Sequence, residues 1–376
     1  MDVPAAMSTR TGSAPGRVNL IGEHTDYNGG FALPLAIAFR TTARVTPRTD
    51  GVVAASSSAP ATVPTTFPVD SRPGDVSGWA AYVAGVFWAL RDAGHDVPGA
   101  DVHIDSTVPS GAGLSSSHAL ECSVAVTLND LCGLGLDRTT LALLVQRAEN
   151  VYVGAPTGAM DQMASLHGKD GHVILFDARA MTAEPVPCEL QAAGLSLLVV
   201  DTRVHHEHTG GGYGARRASC EQAAALLGVP TLREVQDDAV DDVLGKLGDD
   251  GVMRRRVRHV LTENARVLDT VALLRSGRVG EIGPLLTASH ASMRDDYEIT
   301  VDEVDVAVES ALAAGALGAR MTGGGFGGSV VALTGTADSD RVADAVRAAF
   351  DERGFTAPSV FTVRPAAGAG IEENPT

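Results

Sequence analysis

The sequence predicts an α+β protein of two domains. Its 376 residues are 44% hydrophobic, which supplies apolar material for two cores of ordinary size. Segments with helical period and segments with alternating period follow one another without a regular strand–helix–strand beat, which favours α+β over a doubly wound parallel sheet. Pro185, Pro187 and Gly194 interrupt the pattern near mid-chain, so the expected division is 1–193 and 194–376.

The elements follow in order. Arg17 to Ile21 alternates as a strand and breaks at Gly22. Further strand-like runs lie at Thr41 to Thr46, Val102 to Ser106, Val173 to Phe176, Leu195 to Asp201, Ser329 to Leu333 and Val360 to Val363. Helical periodicity marks Trp79 to Asp92, Ser116 to Leu131, Arg138 to Tyr152, Ala215 to Leu227, a series between Val252 and Ala314, and Arg341 to Arg353. In the helix that begins at Arg138, the residues Leu141, Leu144, Val145, Ala148 and Val151 share one stripe, which leaves Glu149 on the solvated side. The Ser/Ala/Pro/Thr run from Ala54 to Pro64 reads as a loop, and the chain after Pro365 as a frayed tail.

Charge narrows the partners. Acidic residues outnumber basic ones by 46 to 29, a formal net charge of −17, so neither a nucleic-acid backbone nor an anionic membrane is an expected partner. The chain contains no apolar run of about 18 residues and no signal-like start, and a cytoplasmic location is expected. Cys122, Cys132, Cys188 and Cys220 form no C-x-x-C pair and read as reduced thiols.

Two segments carry chemistry. In RVNLIGEHTDYNGG, Arg17 to Gly30, the residues Glu23, His24, Asp26 and Asn28 crowd one turn closed by glycines, offering several donors and acceptors at once, as a sugar or small polyol requires. In PSGAGLSSSHALECSVAV, Pro109 to Val126, a small-residue loop runs straight into a helical pattern, the form of an anion site: backbone N–H groups can approach a polyphosphate at the positive end of the helix. Lys169 and Lys246 are the only lysines and neither completes a Walker loop, while the G-x-G-x-x-G at Gly323, Gly325 and Gly328 precedes a strand instead of opening a helix, so both alternatives are rejected. His205, His206 and His208 lack the spacing of a zinc site and are expected to form a polar lip near the sugar.

The first segment resembles the signature of the galactokinases, within the GHMP family of small-molecule kinases. PTGAMDQ at Pro156 to Gln162 and GARMTGGGFGGS at Gly318 to Ser329 resemble two further family segments, and all four occur in the family's order over nearly the whole chain. The resemblance implies a two-domain GHMP kinase-like fold with the active site in the interdomain cleft, the nucleotide loop in a left-handed βαβ unit, and magnesium with ATP as co-substrate. It implies that Asp161 is the catalytic aspartate and that Arg17 stands beside it and the transferring phosphoryl group. Ser117 and Glu149 match the magnesium ligands. Glu23, His24, Thr25, Asp26 and Tyr213 match the sugar-binding set, and Ser56 with Gly111, Ala112, Gly113, Leu114, Ser115, Ser116 and Ser117 the ATP-binding set.

The implied activity is ATP-dependent phosphorylation of the anomeric hydroxyl of α-D-galactose in galactose catabolism, by a monomer. The alternatives are a kinase for a related sugar, N-acetylgalactosamine or arabinose, and a catalytically inactive galactose sensor. This chain departs from the family pattern at His118, where a small residue is usual, at Gly212, where a glutamate is common, and at Thr157 and Ala159, which replace a cysteine and an isoleucine.

Overall fold

The computed structural model describes residues 8–60, 62–204 and 212–372; His205, His206 and His208 lie outside them. The first half of the chain contributes β1 (Arg10–Asn19), β2 (Phe31–Ala32), β3 (Pro34–Arg48), β4 (Val52–Ser57), β5 (Thr65–Pro68), α1 (Ala80–Asp92), β6 (Gly99–Ser106), α2 (Ser116–Leu131), α3 (Arg138–Arg147), α4 (Met160–His167), β7 (His172–Asp177) and β8 (Thr182–Pro187). The second contributes β9 (Leu195–Asp201), α5 (Gly212–Leu227), α6 (Val240–Gly245), α7 (Gly251–Arg275), α8 (Gly283–Ser292), α9 (Asp302–Ala313), β10 (Gly318–Thr322), β11 (Ser329–Gly335), α10 (Ser339–Arg353), β12 (Ser359–Val363) and β13 (Gly370–Ile371).

Three sheets result, ordered β13-β1-β3-β6-β4-β5, β10-β11-β9-β12 and β2-β7-β8. Among the described strands the one parallel pair is β4 with β6, joined through α1, and the glycine-serine loop leaves the end of β6 to open α2. One apolar cluster fills the first lobe around Phe87 and Met163, another the second around Tyr297 and Phe350. A third joins Val18, Leu20 and Leu35 to Leu197, Val199, Val267 and Val331, so the lobes share a dry seam beneath the cleft. No helix of the described residues is long and apolar enough to cross a membrane.

Several elements differ from their sequence reading. Pro185 and Pro187 do not interrupt the pattern but lie in β8, an edge strand, where a missing N–H costs no ladder bond. The first four residues of the Ala54 to Pro64 loop, Ala54 to Ser57, belong to strand β4, whose modest propensity is overridden by pairing with β6. The tail after Pro365 is pinned: Arg40 donates to Ala367 O and Gly368 O, the Ala369 N–H donates to Ser165 O, and β13 pairs with β1. We propose the lobe boundary at 193/194, with β13 returning to the first lobe.

The largest departure lies after α3. Residues Ala148–Val153 wind as a π-helix, whose wider turn rotates the following positions relative to an α-helical stripe. Val151 is thereby turned outward to 49% exposure, and Glu149 inward to 3%.

Candidate active site

Between the lobes lies a cavity of about 430 Å³ whose lining brings Gly113 to His118, Glu149 and Pro156 to Gly158 together with Glu23, His24, Asp26, Tyr213, Gly323 and Gly324. Arg17 and Asp161 line the same cavity. Arg17 lies in the buried stretch of β1, and Asp161 occupies the first turn of α4, which begins at Met160.

Asp161 is crowded with donors. Arg17 Nε donates to Oδ1 at 2.6 Å and Nη2 to Oδ2 at 2.9 Å, and the Ser115 hydroxyl donates to Oδ2 at 2.6 Å. His118 Nδ1 stands 3.2 Å from Oδ2, and Arg17 Nη1 donates to Gly113 O at 2.7 Å. Burial alone would raise the Asp161 pKa, but Arg17, His118 and Ser115 outweigh it and hold the carboxyl below its ordinary value. Ser115 itself has φ +60°, a left-handed conformation that closes the loop onto α2.

Glu149 is the second anionic centre. Its Oε2 lies 2.6 Å from His118 Nε2 and accepts from Thr157 Oγ1 at 2.9 Å and Gln162 Nε2 at 3.3 Å. His118 therefore faces a carboxylate from each ring nitrogen. Burial opposes its charged form, yet Glu149 and Asp161 outweigh burial and raise its pKa above the ordinary value.

The sugar-signature loop is held from below by α7. Glu263 Oε1 accepts from Gly22 N at 2.9 Å, Asn264 Oδ1 from Phe31 N at 2.8 Å, and His259 Nε2 stands 3.1 Å from Glu23 O. Asp26 packs against Gly158, where a Cβ would fall inside the carboxylate. Burial, reinforced by the Asp161 charge, raises the Asp26 pKa to about 6. His24 Nε2 faces Gly324 O at 3.1 Å and so carries the proton; Nδ1 then accepts from Tyr27 Oη at 2.7 Å. Burial lowers its pKa to about 3, so the ring is neutral, with both nitrogens engaged.

Of the residues expected from sequence, Arg17, Glu23, His24, Asp26, Gly113, Leu114, Ser115, Ser116, Ser117, Glu149, Asp161 and Tyr213 line one cavity. Four are not brought to it. Thr25 is buried with its hydroxyl against Gly22 O and Phe31 O. Ala112 is buried and its carbonyl accepts from Ser329, while Gly111 precedes the lining stretch. Ser56 sits on β4, its Oγ 2.9 Å from His103 Nδ1.

Sequence profiles match three stretches: one described as "Galactokinase galactose-binding signature" over residues 5–47, one as "GHMP kinases N terminal domain" over 81–169, and one as "GHMP kinases C terminal" over 270–352. A galactokinase of Streptomyces coelicolor is 54% identical over 358 residues, 95% of this chain and 92% of that protein. The chain belongs to the galactokinase family of the GHMP kinases. Another member, from Mycobacterium tuberculosis, is 51% identical over 356 residues, 95% of this chain and 97% of that protein. The crystal structure of Lactococcus lactis galactokinase complexed with galactose superposes with a TM-score of 0.90 at 34% identity, covering 96% of this chain and 95% of that one. A mevalonate kinase of Methanococcus jannaschii, at TM-score 0.65 and 14% identity over 96% of this chain and 99% of that one, shares the fold alone.

Within this galactokinase-family chain the structure gives roles to residues that the sequence reading leaves without one. Thr157 and Gln162 fix Glu149, Gly158 makes room for Asp26, and Tyr82 lines the cavity from α1. Only Thr157, Gly158 and Gln162 were within reach of the sequence, because they sit inside PTGAMDQ. At the Gly212 departure a Cβ would meet the far end of the Phe326 ring at 2.6 Å, so a larger side chain there requires that ring to move.

Proposed function

We propose that the protein transfers the γ-phosphoryl group of ATP to the anomeric hydroxyl of α-D-galactose. The observation that carries this reading is that the Arg17–Asp161 pair shares one cavity with a sugar-type polar loop and a helix-opening glycine-serine loop. Glu23, Asp26 and Tyr213 bind the sugar hydroxyls in this reading. The N–H groups of Gly113 to Ser117 and the first turn of α2 receive the phosphates, where loop dipoles and the helix end favour negative charge.

The donor set fits a magnesium ion. Ser117 offers a hydroxyl, and Glu149 Oε1 has no protein donor among the described residues while Oε2 is fully engaged, which leaves one hard oxygen free toward the cavity. Ser117 and Glu149 would hold the ion, which supplies charge neutralisation on the phosphates.

In the transfer the sugar O1–P bond forms as the bond from phosphorus to the β,γ-bridging oxygen breaks and leaves that oxygen on ADP, and the O1 proton passes late in the step to an Asp161 carboxylate oxygen. A carboxylate that already accepts from Arg17 and Ser115 is a weak base, so Asp161 chiefly orients O1 in line with the phosphorus, while Arg17 stabilises charge on the phosphoryl oxygens. The four cysteines are all unpaired, which suits the cytoplasm proposed for this enzyme.

Sugar-dependent ADP release tests the reading, measured with galactose, glucose, N-acetylgalactosamine and arabinose, with the product assigned by phosphorus NMR. The expected result is a 1-phosphate with galactose giving the highest kcat/KM. Sugar and ATP binding without ADP release on any of them would replace it with a sensor.

A further inference from the structure

Arg320, on β10, is fully buried and does not line the cavity. Its Nη1 donates to Asn19 O at 2.9 Å and Leu20 O at 3.1 Å, and lies 3.5 Å from Glu23 Oε1. Its Nε donates to Ser289 Oγ at 3.1 Å. The Ser289 hydroxyl donates to Glu263 Oε1 at 2.6 Å, the same oxygen that accepts from the Gly22 N–H, and Arg266 Nε donates to Glu263 Oε2 at 2.7 Å. Glu23 Oε1 accepts from Gly323 N at 2.8 Å. Groups of the second lobe thus grip Asn19, Leu20, Gly22 and Glu23 at the entry to the signature loop. Arg320, Glu263 and Glu23 are each at most 2% exposed.

A buried ion network of this kind is seldom kept for stability, since well-packed apolar side chains of similar volume often serve as well or better. What it supplies is geometry. Oε1 of Glu23 is fixed by Gly323 and Arg320, and the carboxylate it belongs to lines the cavity. We propose that Arg320, through Ser289 and Glu263, is a positioning residue for sugar recognition: it sets where Glu23 presents its other oxygen, without touching sugar or nucleotide. The proposal rests on the reading of the cavity as a galactose-phosphorylating site.

The test uses the full chain with Arg320→Lys and Ser289→Ala. Lysine keeps the charge but cannot span two carbonyls and a hydroxyl with one fixed fork. Galactose KM and the calorimetric galactose Kd are expected to rise together at least tenfold for Arg320→Lys and about threefold for Ser289→Ala, with ATP KM within twofold of wild type. A lowered melting temperature with galactose KM within twofold overturns the proposal, as does a parallel rise in both KM values. If Arg320→Lys does not fold, Ser289→Ala decides by the same criteria. A wild type without galactose turnover overturns the functional reading together with the proposal, whereas wild-type turnover with unmoved variants overturns the proposal alone.

Discussion

The Arg17 guanidinium grips Asp161 through two parallel hydrogen bonds, Nε to Oδ1 at 2.6 Å and Nη2 to Oδ2 at 2.9 Å. Such a fork fixes the carboxylate plane as well as its position. Replacing Asp161 by Asn keeps the shape but sets an amide NH₂ against a guanidinium N–H. Turnover is expected to fall by about 10²–10⁴-fold, with galactose Kd changed far less. Steady-state rates beside calorimetry measure the split; turnover near wild type would remove Asp161 from the reaction.

Asp26 titrates within reach of assay conditions. Its pKa in the folded protein is raised to about 6 by burial, and a sugar hydroxyl needs the ionised form as acceptor. Galactose kcat/KM is therefore expected to fall as pH drops through about 6, and Asp26→Asn to abolish that limb along with most of the activity. Stability runs the other way. A folded pKa above the unfolded value of about 3.9 means that the ionised group opposes folding, with the penalty complete above pH 6 and fading as pH falls toward 4. Asp26→Asn should raise the melting temperature at pH 8, and less so at pH 5. A flat pH profile in the wild type would contradict the assignment.

Magnesium dependence should separate Glu149 from His118. Glu149→Ala is expected to raise the magnesium concentration for half-maximal rate and lower the rate itself. His118→Ala removes the imidazole 2.6 Å from the same carboxylate and is expected to lower that concentration, because the cation no longer competes with the imidazole for Glu149. Unchanged magnesium titrations in both variants would refute the metal reading.

Gly158 offers a steric test. A methyl group there must displace the Asp26 carboxylate, so Gly158→Ala is expected to raise galactose KM about tenfold or more with little change in ATP KM. Gly245→Ala, at an open position in α6, serves as the control and should leave both unchanged. Equal effects of the two substitutions would show that Asp26 tolerates displacement.

The parts of the site legible in the sequence are those whose chemistry is contiguous. Glu23, His24 and Asp26 crowd one turn, and Gly113 to Ser117 open a helix; loop and cap chemistry announces itself locally. Glu149 and Val151 exchange faces because a π-turn inserts a wider step that no residue pattern specifies. His259, Glu263 and Asn264 sit on a long amphipathic helix at positions that read as its polar side, yet in space they meet the backbone of Gly22 to Phe31. Strand β4 is too plain in composition to stand out, and forms because β6 offers it a partner. Periodicity reports which face an element buries, and says nothing of which distant backbone a buried polar group will meet.

Strand β13 pairs Gly12 with Ile371 and Ser13 with Gly370, and the Glu372 N–H donates to Thr11 O. The residues that cover one edge of the first sheet are thus synthesised after every other strand in it. While the chain is emerging from the ribosome, β1 presents open backbone groups along that margin until the whole second lobe has been made, the interval in which an unpaired edge is most exposed to a neighbouring nascent chain.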